Sequence, residues 1–306
     1  MQAFQEAPKI SLPTIASSSI FVELSIGQWA GRIKDKKASA AVTEDNNADS
    51  GTATVTKKLL AHCVELEAIG KFASKARATH AAMTMPWSDL GQRLLATAMH
   101  DKYHHTMTGL QAEFYTLRDE FLGVYNWRMA AVQAKLGGLY VEADYPSVED
   151  LSYKFRFNIN YLTINPESKD HRIELGEEAL SIVMDSNRKY YQRQFEGAMN
   201  DVWKRTHKAL TNMSEKLTVN GAGVTHNRHG SPLFRDSLVD NLIEMVDMLE
   251  LCNVSGDSQM AAMRLQLDEA LHGVTADGLR TSPSLRAETK TAVDEALANL
   301  PTLDIF

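Results

Sequence analysis

The sequence predicts an α+β fold, mainly α-helical, with long helices and a small antiparallel β-sheet. Three observations carry this. Apolar residues recur at helical spacing over two very long stretches, about 103–136 and 177–217. Residues 153–164, YKFRFNINYLTI, alternate between apolar and polar, the period of a half-buried strand. Residues 20–29 alternate in the same way. With 306 residues, 44 % apolar and 23 % charged, the chain can bury a sizeable core without disulfides or metal.

Residues 1–19 are polar, contain proline and read as extended. In the first strand Val22, Leu24 and Ile26 face one way, Glu23 and Ser25 the other. TEDNNADSGT at 43–52 reads as a flexible loop. From Val55, the residues Leu59, Leu60, Cys63, Leu66 and Phe72 form one apolar face of a helix reaching about Ala82. Pro86 interrupts, and TMPWSDLGQRLL is expected to begin a new helix with Ser88 as N-cap. The stretch 103–136 ends at Gly137-Gly138, a helix stop, and Pro146-Ser147 open a short helix.

In the strand 153–164, Tyr153, Phe155, Phe157, Ile159 and Tyr161 share one face; Lys154, Arg156, Asn158 and Asn160 share the other. HRIEL at 171–175 can pair back across the NPESKD turn. In 177–217, Tyr191, Phe195, Met199, Val202, Trp203, Leu210, Met213 and Leu217 form the apolar face. Lys189, Arg193, Lys204 and Lys208 lie opposite, bordered by Glu196 and Asp201. A glycine-containing loop, 218–232, precedes three helices near 233–252, 257–272 and 284–299. The expected division is a helical and β-sheet core with a basic N-terminal arm, 1–232, and an acidic helical region with a tail, 233–306.

Net charge is −7, which argues against a generic basic nucleic-acid coat. Its distribution is uneven: residues 236–306 hold 13 acids and 4 bases, and the remainder holds 26 acids and 28 bases. This suits an N-terminal region that touches an anion and a C-terminal region that stays off it. Cys63 and Cys252 are far apart and are expected to be buried thiols in a reducing cytosol. No apolar run approaches the ~20 residues of a membrane span, and no leader pattern opens the chain, so a soluble cytoplasmic protein is expected.

The sequence carries no GxxxxGK[ST], no GxGxxG after a strand, no GxSxG and no HExxH. His100 and His104, at i and i+4, offer two metal ligands, but zinc needs three or four. His226 and His229 flank Arg228 in the glycine loop, again short of a ligand set. The carboxylate pairs Glu65/Glu67, Asp119/Glu120 and Glu177/Glu178 read as solvated helix surface. No enzyme, metal or cofactor is therefore expected.

The positive surface is the stronger signal. Arg32, Lys34, Lys36 and Lys37 follow Trp29 within eight residues, opposed only by Asp35. Cations attract backbone phosphates and release counterions, and an aromatic ring gives an unpaired base a platform. Trp29 either stacks on a base or braces the segment from the core. Lys154 and Arg156 extend the path across the sheet, and Lys189 and Arg193 are further candidates. The alternative is a solvated basic turn. The chain ends LPTLDIF, so Asp304, Ile305 and Phe306 either fray or dock on a basic-rimmed apolar pocket of a partner. This end is similar to the acidic, Phe-terminated tip of bacterial and phage single-stranded-DNA-binding proteins, without their run of consecutive acids.

Four blocks, ELSIGQWAGRIKDKKAS, MTMPWSDLGQRLL, LGGLYVEADYPSVEDLSYKFRF and FRDSLVDNLIEMVDMLELCNVSGD, resemble in order a family of bacteriophage proteins. Members are often encoded near a MoxR-like AAA+ ATPase and a von Willebrand A-domain protein. The chain is also similar to the single-stranded-DNA-binding RNA-polymerase cofactors of podophages that carry a giant virion RNA polymerase. That resemblance implies binding to melted promoters and recruitment of the phage polymerase in the host cytoplasm. The implied partners are single-stranded DNA and the phage RNA polymerase; a homo-oligomer is a further expectation, and no membrane partner is expected. The rival expectation is a non-DNA-binding adaptor or assembly protein serving the AAA+/von Willebrand pair. The resemblance supplies no functional residue; those named above rest on charge, aromaticity and spacing.

Overall fold

The structure, a computed structural model, describes residues 17–89, 91–164, 177–218 and 236–301. The fold is α+β and mainly helical, with long helices and a small antiparallel sheet. The expected strand at 171–175, the glycine loop with His226 and His229, and the tip Asp304, Ile305 and Phe306 lie outside the described residues. Two compact units alternate along the chain. The hairpin unit comprises 23–82 and 101–160; the helical unit comprises 1–22, 83–100 and 161–306. The 232/233 boundary expected from charge falls among residues that are not described.

In the hairpin unit, β2 (Arg32–Asp35) pairs antiparallel with β3 (Val55–Lys58), with Arg32 opposite Lys58 and Lys34 opposite Thr56. Helix α1 (Lys36–Asp45) follows β2 without a linker. Asp35 caps it, its Oδ1 accepting from Ala38 N at 3.0 Å. Val55 N donates to Ser39 Oγ at 3.0 Å, tying β3 to that helix. Three expectations are corrected here. The basic segment is a strand and a helix start rather than a projecting arm, and the loop expected at 43–52 begins only after Asp45. The helix expected from Val55 starts at Val64: α2 runs Val64–Met83, because 55–58 are taken by the hairpin.

Helix α3 (His100–Leu136) ends at Gly137, whose φ of +50° suits glycine at a helix stop. Helix α4 (Val148–Ser152) is capped by Ser147 as expected, with Asp150 N donating to its Oγ at 3.1 Å. Strand β6 (Arg156–Leu162) keeps the alternation, with Phe157 buried and Arg156, Asn158 and Asn160 exposed. Ile69, Phe72 and Ala76 of α2, Tyr103, Met107, Phe114, Phe121 and Tyr125 of α3, and Phe155 and Phe157 supply the core. Phe114 meets Phe157 at 5.6 Å between centroids, and Phe121 meets Phe155 at 5.8 Å.

The helical unit contains the first half of β1 (Ser19–Gly27). Ser19–Val22 pair antiparallel with β5 (Arg93–Ala96), and β5 pairs with β4 (Met85–Pro86). The four-stranded sheet has the order β4-β5-β1-β6. TMPWSDLGQRLL is thus a hairpin, not the expected helix. Gly91 takes φ +95°, and Ser88 N donates to Gln92 O across the turn. Trp87 is buried against Phe21 at 4.9 Å and Tyr191 at 5.6 Å.

Helix α5 (Glu177–Leu217) buries Phe195, Val202, Trp203, Leu210, Met213 and Leu217 and exposes Lys189, Arg193, Lys204 and Lys208, as its periodicity predicts. The acidic quarter forms α6 (Asp236–Leu251), α7 (Ser258–Leu271), the short α8 (Ala276–Thr281) and α9 (Pro283–Ala298). Of these, α6 and α9 pack on α5: Thr206 Oγ1 lies 3.3 Å from Met245 Sδ, and Ser214 donates to Asp294. Among the described residues no helix is long and apolar enough to cross a membrane.

Candidate nucleic-acid interface

A strand places alternate side chains on one face, so Arg32 and Lys34 point the same way as their partners Lys58 and Thr56. All four are exposed. The other face of the hairpin is neutralised. There Lys57 pairs with Asp144 at 2.6 Å and donates to Leu139 O at 2.8 Å. Lys36 and Lys37 open α1 and are exposed. Cations in a first helical turn oppose the helix dipole, so helix stability does not explain them. Among the described residues no carboxylate lies within ion-pair distance of Arg32, Lys34, Lys36, Lys37 or Lys58.

Trp29 is half-buried. Its ring lies 6.4 Å from Phe121 and 6.0 Å from Tyr125, the latter edge-on at 80°. Trp29 also lines a hollow of about 210 Å³ together with Gln28, Arg32, Lys58, His62 and Glu67. Gly31 forms part of its wall at φ +59°, where an added Cβ would sit 2.8 Å from Leu66 Cδ2. Glycine suits that position, where a side chain would be strained. Leu59 N donates to Gly31 O at 2.8 Å, and the buried Tyr145 hydroxyl donates to Leu59 O at 2.9 Å. The backbone around the hollow is pinned from both sides.

Lys154 and Arg156 are exposed where β6 begins. The end of β1 lies beside them: a Cβ on Gly27 would be 3.2 Å from Lys154 O and 3.1 Å from Arg156 Nε. The segment leading to Trp29 and this cationic pair therefore meet in one unit. Tyr153 was expected on the apolar face of the strand. It instead precedes the strand, in the turn after α4, and is 73 % exposed. With Tyr115, Arg118, Ser152, Phe155 and Arg156 it lines a wide, open hollow of about 530 Å³. Arg118 sits over the Tyr115 ring at 4.5 Å. Lys189 and Arg193 are exposed on α5, which belongs to the helical unit.

Sequence reasoning missed Lys58, Gln28, His62, Tyr115, Arg118 and Tyr153. Lys58 was legible only through the register of an unrecognised hairpin. Tyr115 and Arg118 carry the i, i+3 spacing of neighbours on a helix but no charge run that would single them out.

The other candidate chemistries have local explanations. The His100 ring packs 5.4 Å from the Tyr161 ring, and His104 is exposed. Among the described residues no group of three or more His, Cys, Asp or Glu could hold a metal ion. Glu65 accepts from Arg128 at 2.6 Å, and that hydrogen bond holds its carboxyl below the usual glutamate range. Both thiols are buried; burial raises Cys63 and pushes Cys252 up to about 11.

Comparison with protein-family models, curated proteins and solved structures finds no match to this chain. The functional reading therefore rests on this geometry and chemistry.

Proposed function

We propose that the protein binds single-stranded DNA without catalysing a reaction, through the cationic face of the hairpin unit. The observation that carries this reading is the unpaired, exposed set Arg32, Lys34, Lys36, Lys37 and Lys58 on one hairpin-and-helix element. Like charges on one face repel one another, and phosphates relieve that repulsion with release of counterions. Lys154 and Arg156 continue the positive surface at the start of β6. Trp29 and Tyr153 supply ring surface beside these cations, and ring surface is usable only by unpaired bases. The acidic C-terminal helices and the tip Asp304-Ile305-Phe306 face a protein partner in this reading. The family resemblance names that partner as the phage RNA polymerase at melted promoters, in the host cytoplasm.

A gel-shift titration against single- and double-stranded oligonucleotides of one sequence tests the proposal. A clear preference for the single strand at moderate salt is expected. Equal affinity for both forms, or none for either, overturns it.

A second reading has its own observation. The N-terminal half of α5 exposes Ile182 at 66 %, Val183 at 43 % and Tyr190 at 41 %. Large apolar side chains grouped on a helix surface mark protein contacts. An adaptor serving the AAA+/von Willebrand pair would use them, and co-purification of that ATPase without DNA affinity favours it.

A further inference from the structure

Resting on that reading, we propose that the hollow beside Trp29 binds one nucleoside 5′-monophosphate unit, free or within a strand. Its phosphate lies between Arg32 and Lys58, and its base enters the hollow beside the tryptophan.

The first argument is a frustrated cross-strand pair. Arg32 and Lys58 are directly opposite in the β2–β3 ladder, both exposed, and both line the hollow. Like charges in that position destabilise a hairpin. The neighbouring Lys57 shows how the fold neutralises a cation, by Asp144 at 2.6 Å. Among the described residues nothing does the same for Arg32 and Lys58. An anion held by both removes their repulsion and gains two charge-assisted contacts.

The second argument is the shape and lining of the site. About 210 Å³ is room for roughly seven waters at ~30 Å³ each, enough for a heterocycle beside a phosphate held at the rim. His62 lines it in the left-handed conformation, φ +60°, uncommon for a non-glycine residue. Gln28 offers both donor and acceptor to a base edge. A paired donor and acceptor suits the N6/N7 edge of adenine, which makes dAMP the probe, and Glu67, also in the lining, can accept from an exocyclic amine.

The test is titration of the full chain with dAMP, deoxyribose 5-phosphate and inorganic phosphate, followed by tryptophan fluorescence in wild type and Trp29→Phe. A dAMP response that disappears in Trp29→Phe is expected, with both base-free phosphates binding at least about tenfold more weakly, the scale of one lost stacking contact. Inorganic phosphate binding as tightly as dAMP overturns the proposal, leaving a plain anion site. Normal oligonucleotide binding with no dAMP response also overturns it, while the single-strand reading stands. A dAMP response without oligonucleotide affinity supports this site and removes the strand reading instead. Lys58→Thr supplies a second readout. Relief of the like-charge pair is expected to raise the thermal midpoint of the ligand-free protein while dAMP affinity falls. A lowered midpoint with unchanged dAMP affinity overturns the proposal.

Discussion

Glu65 shows how a single side chain ties two helices together. It begins α2, reaches Arg128 on α3 at 2.6 Å, and also lies 3.3 Å from Cys63 Sγ. The Arg128 hydrogen bond is the largest influence on its carboxyl, ahead of the opposing desolvation, and its pKa is lowered. A depressed folded-state value means the pair stabilises the fold above the ordinary glutamate value of 4.5 and loses that contribution as pH falls through the lower folded value. Arg128→Leu is therefore expected to lower the urea midpoint at pH 7, with the gap from wild type closing as pH drops below 4.5. Urea titrations at a series of pH values measure this, and a gap that is constant with pH refutes the linkage. The i, i+2 spacing of Glu65 and Glu67 shows in the sequence that the two carboxylates do not converge on a helix. Their separate fates, one paired with Arg128 and one lining the Trp29 hollow, were not legible there, since each depends on packing between distant segments.

At the scale of elements, the long helices were legible and the short hairpins were not, for one physical reason. Thirty-seven residues of α3 and forty-one of α5 repeat the 3.6 period often enough to identify a face. VTKK and RLLA, four residues each, complete barely two alternations. They become strands through partners far along the chain: Val22 pairs with Arg93, and Arg32 with Lys58. The β2–β3 hairpin and α1 meet at Asp35, which caps the helix and is also the acid closest in sequence to the four cations. Asp35→Asn separates those roles. Asparagine caps about as well as aspartate, so stability is expected to stay within about 0.5 kcal/mol of wild type. Removing the negative charge is expected to tighten single-strand binding and steepen its salt dependence. Thermal melts and gel-shift titrations at several salt concentrations check both halves; unchanged affinity would mean the strand does not pass this corner.

Over the whole molecule, net charge and binding charge are distributed differently. The hairpin unit holds 15 Lys and Arg against 15 Asp and Glu, and the helical unit carries the net −7. Affinity for a polyanion in such a protein cannot come from the overall field, which is repulsive. It must come from contacts short enough to escape screening at a Debye length of about 10 Å in 0.1 M salt. The candidates are the cations left unpaired on the hairpin, α1 and the start of β6. Each phosphate neutralised on a single strand adds about 0.7 to the slope of log K against log salt. Lys36→Ala/Lys37→Ala is then expected to flatten that slope by about 1.4, twice the single-contact value, with little effect on folding because both side chains are exposed. Affinity measured from low to moderate salt for wild type and double variant gives the number directly. A parallel pair of lines, displaced or not, would show that these two lysines are solvated surface and that any binding runs elsewhere. A flattened slope, with affinities converging at high salt, would place the strand on the N-terminal turn of α1.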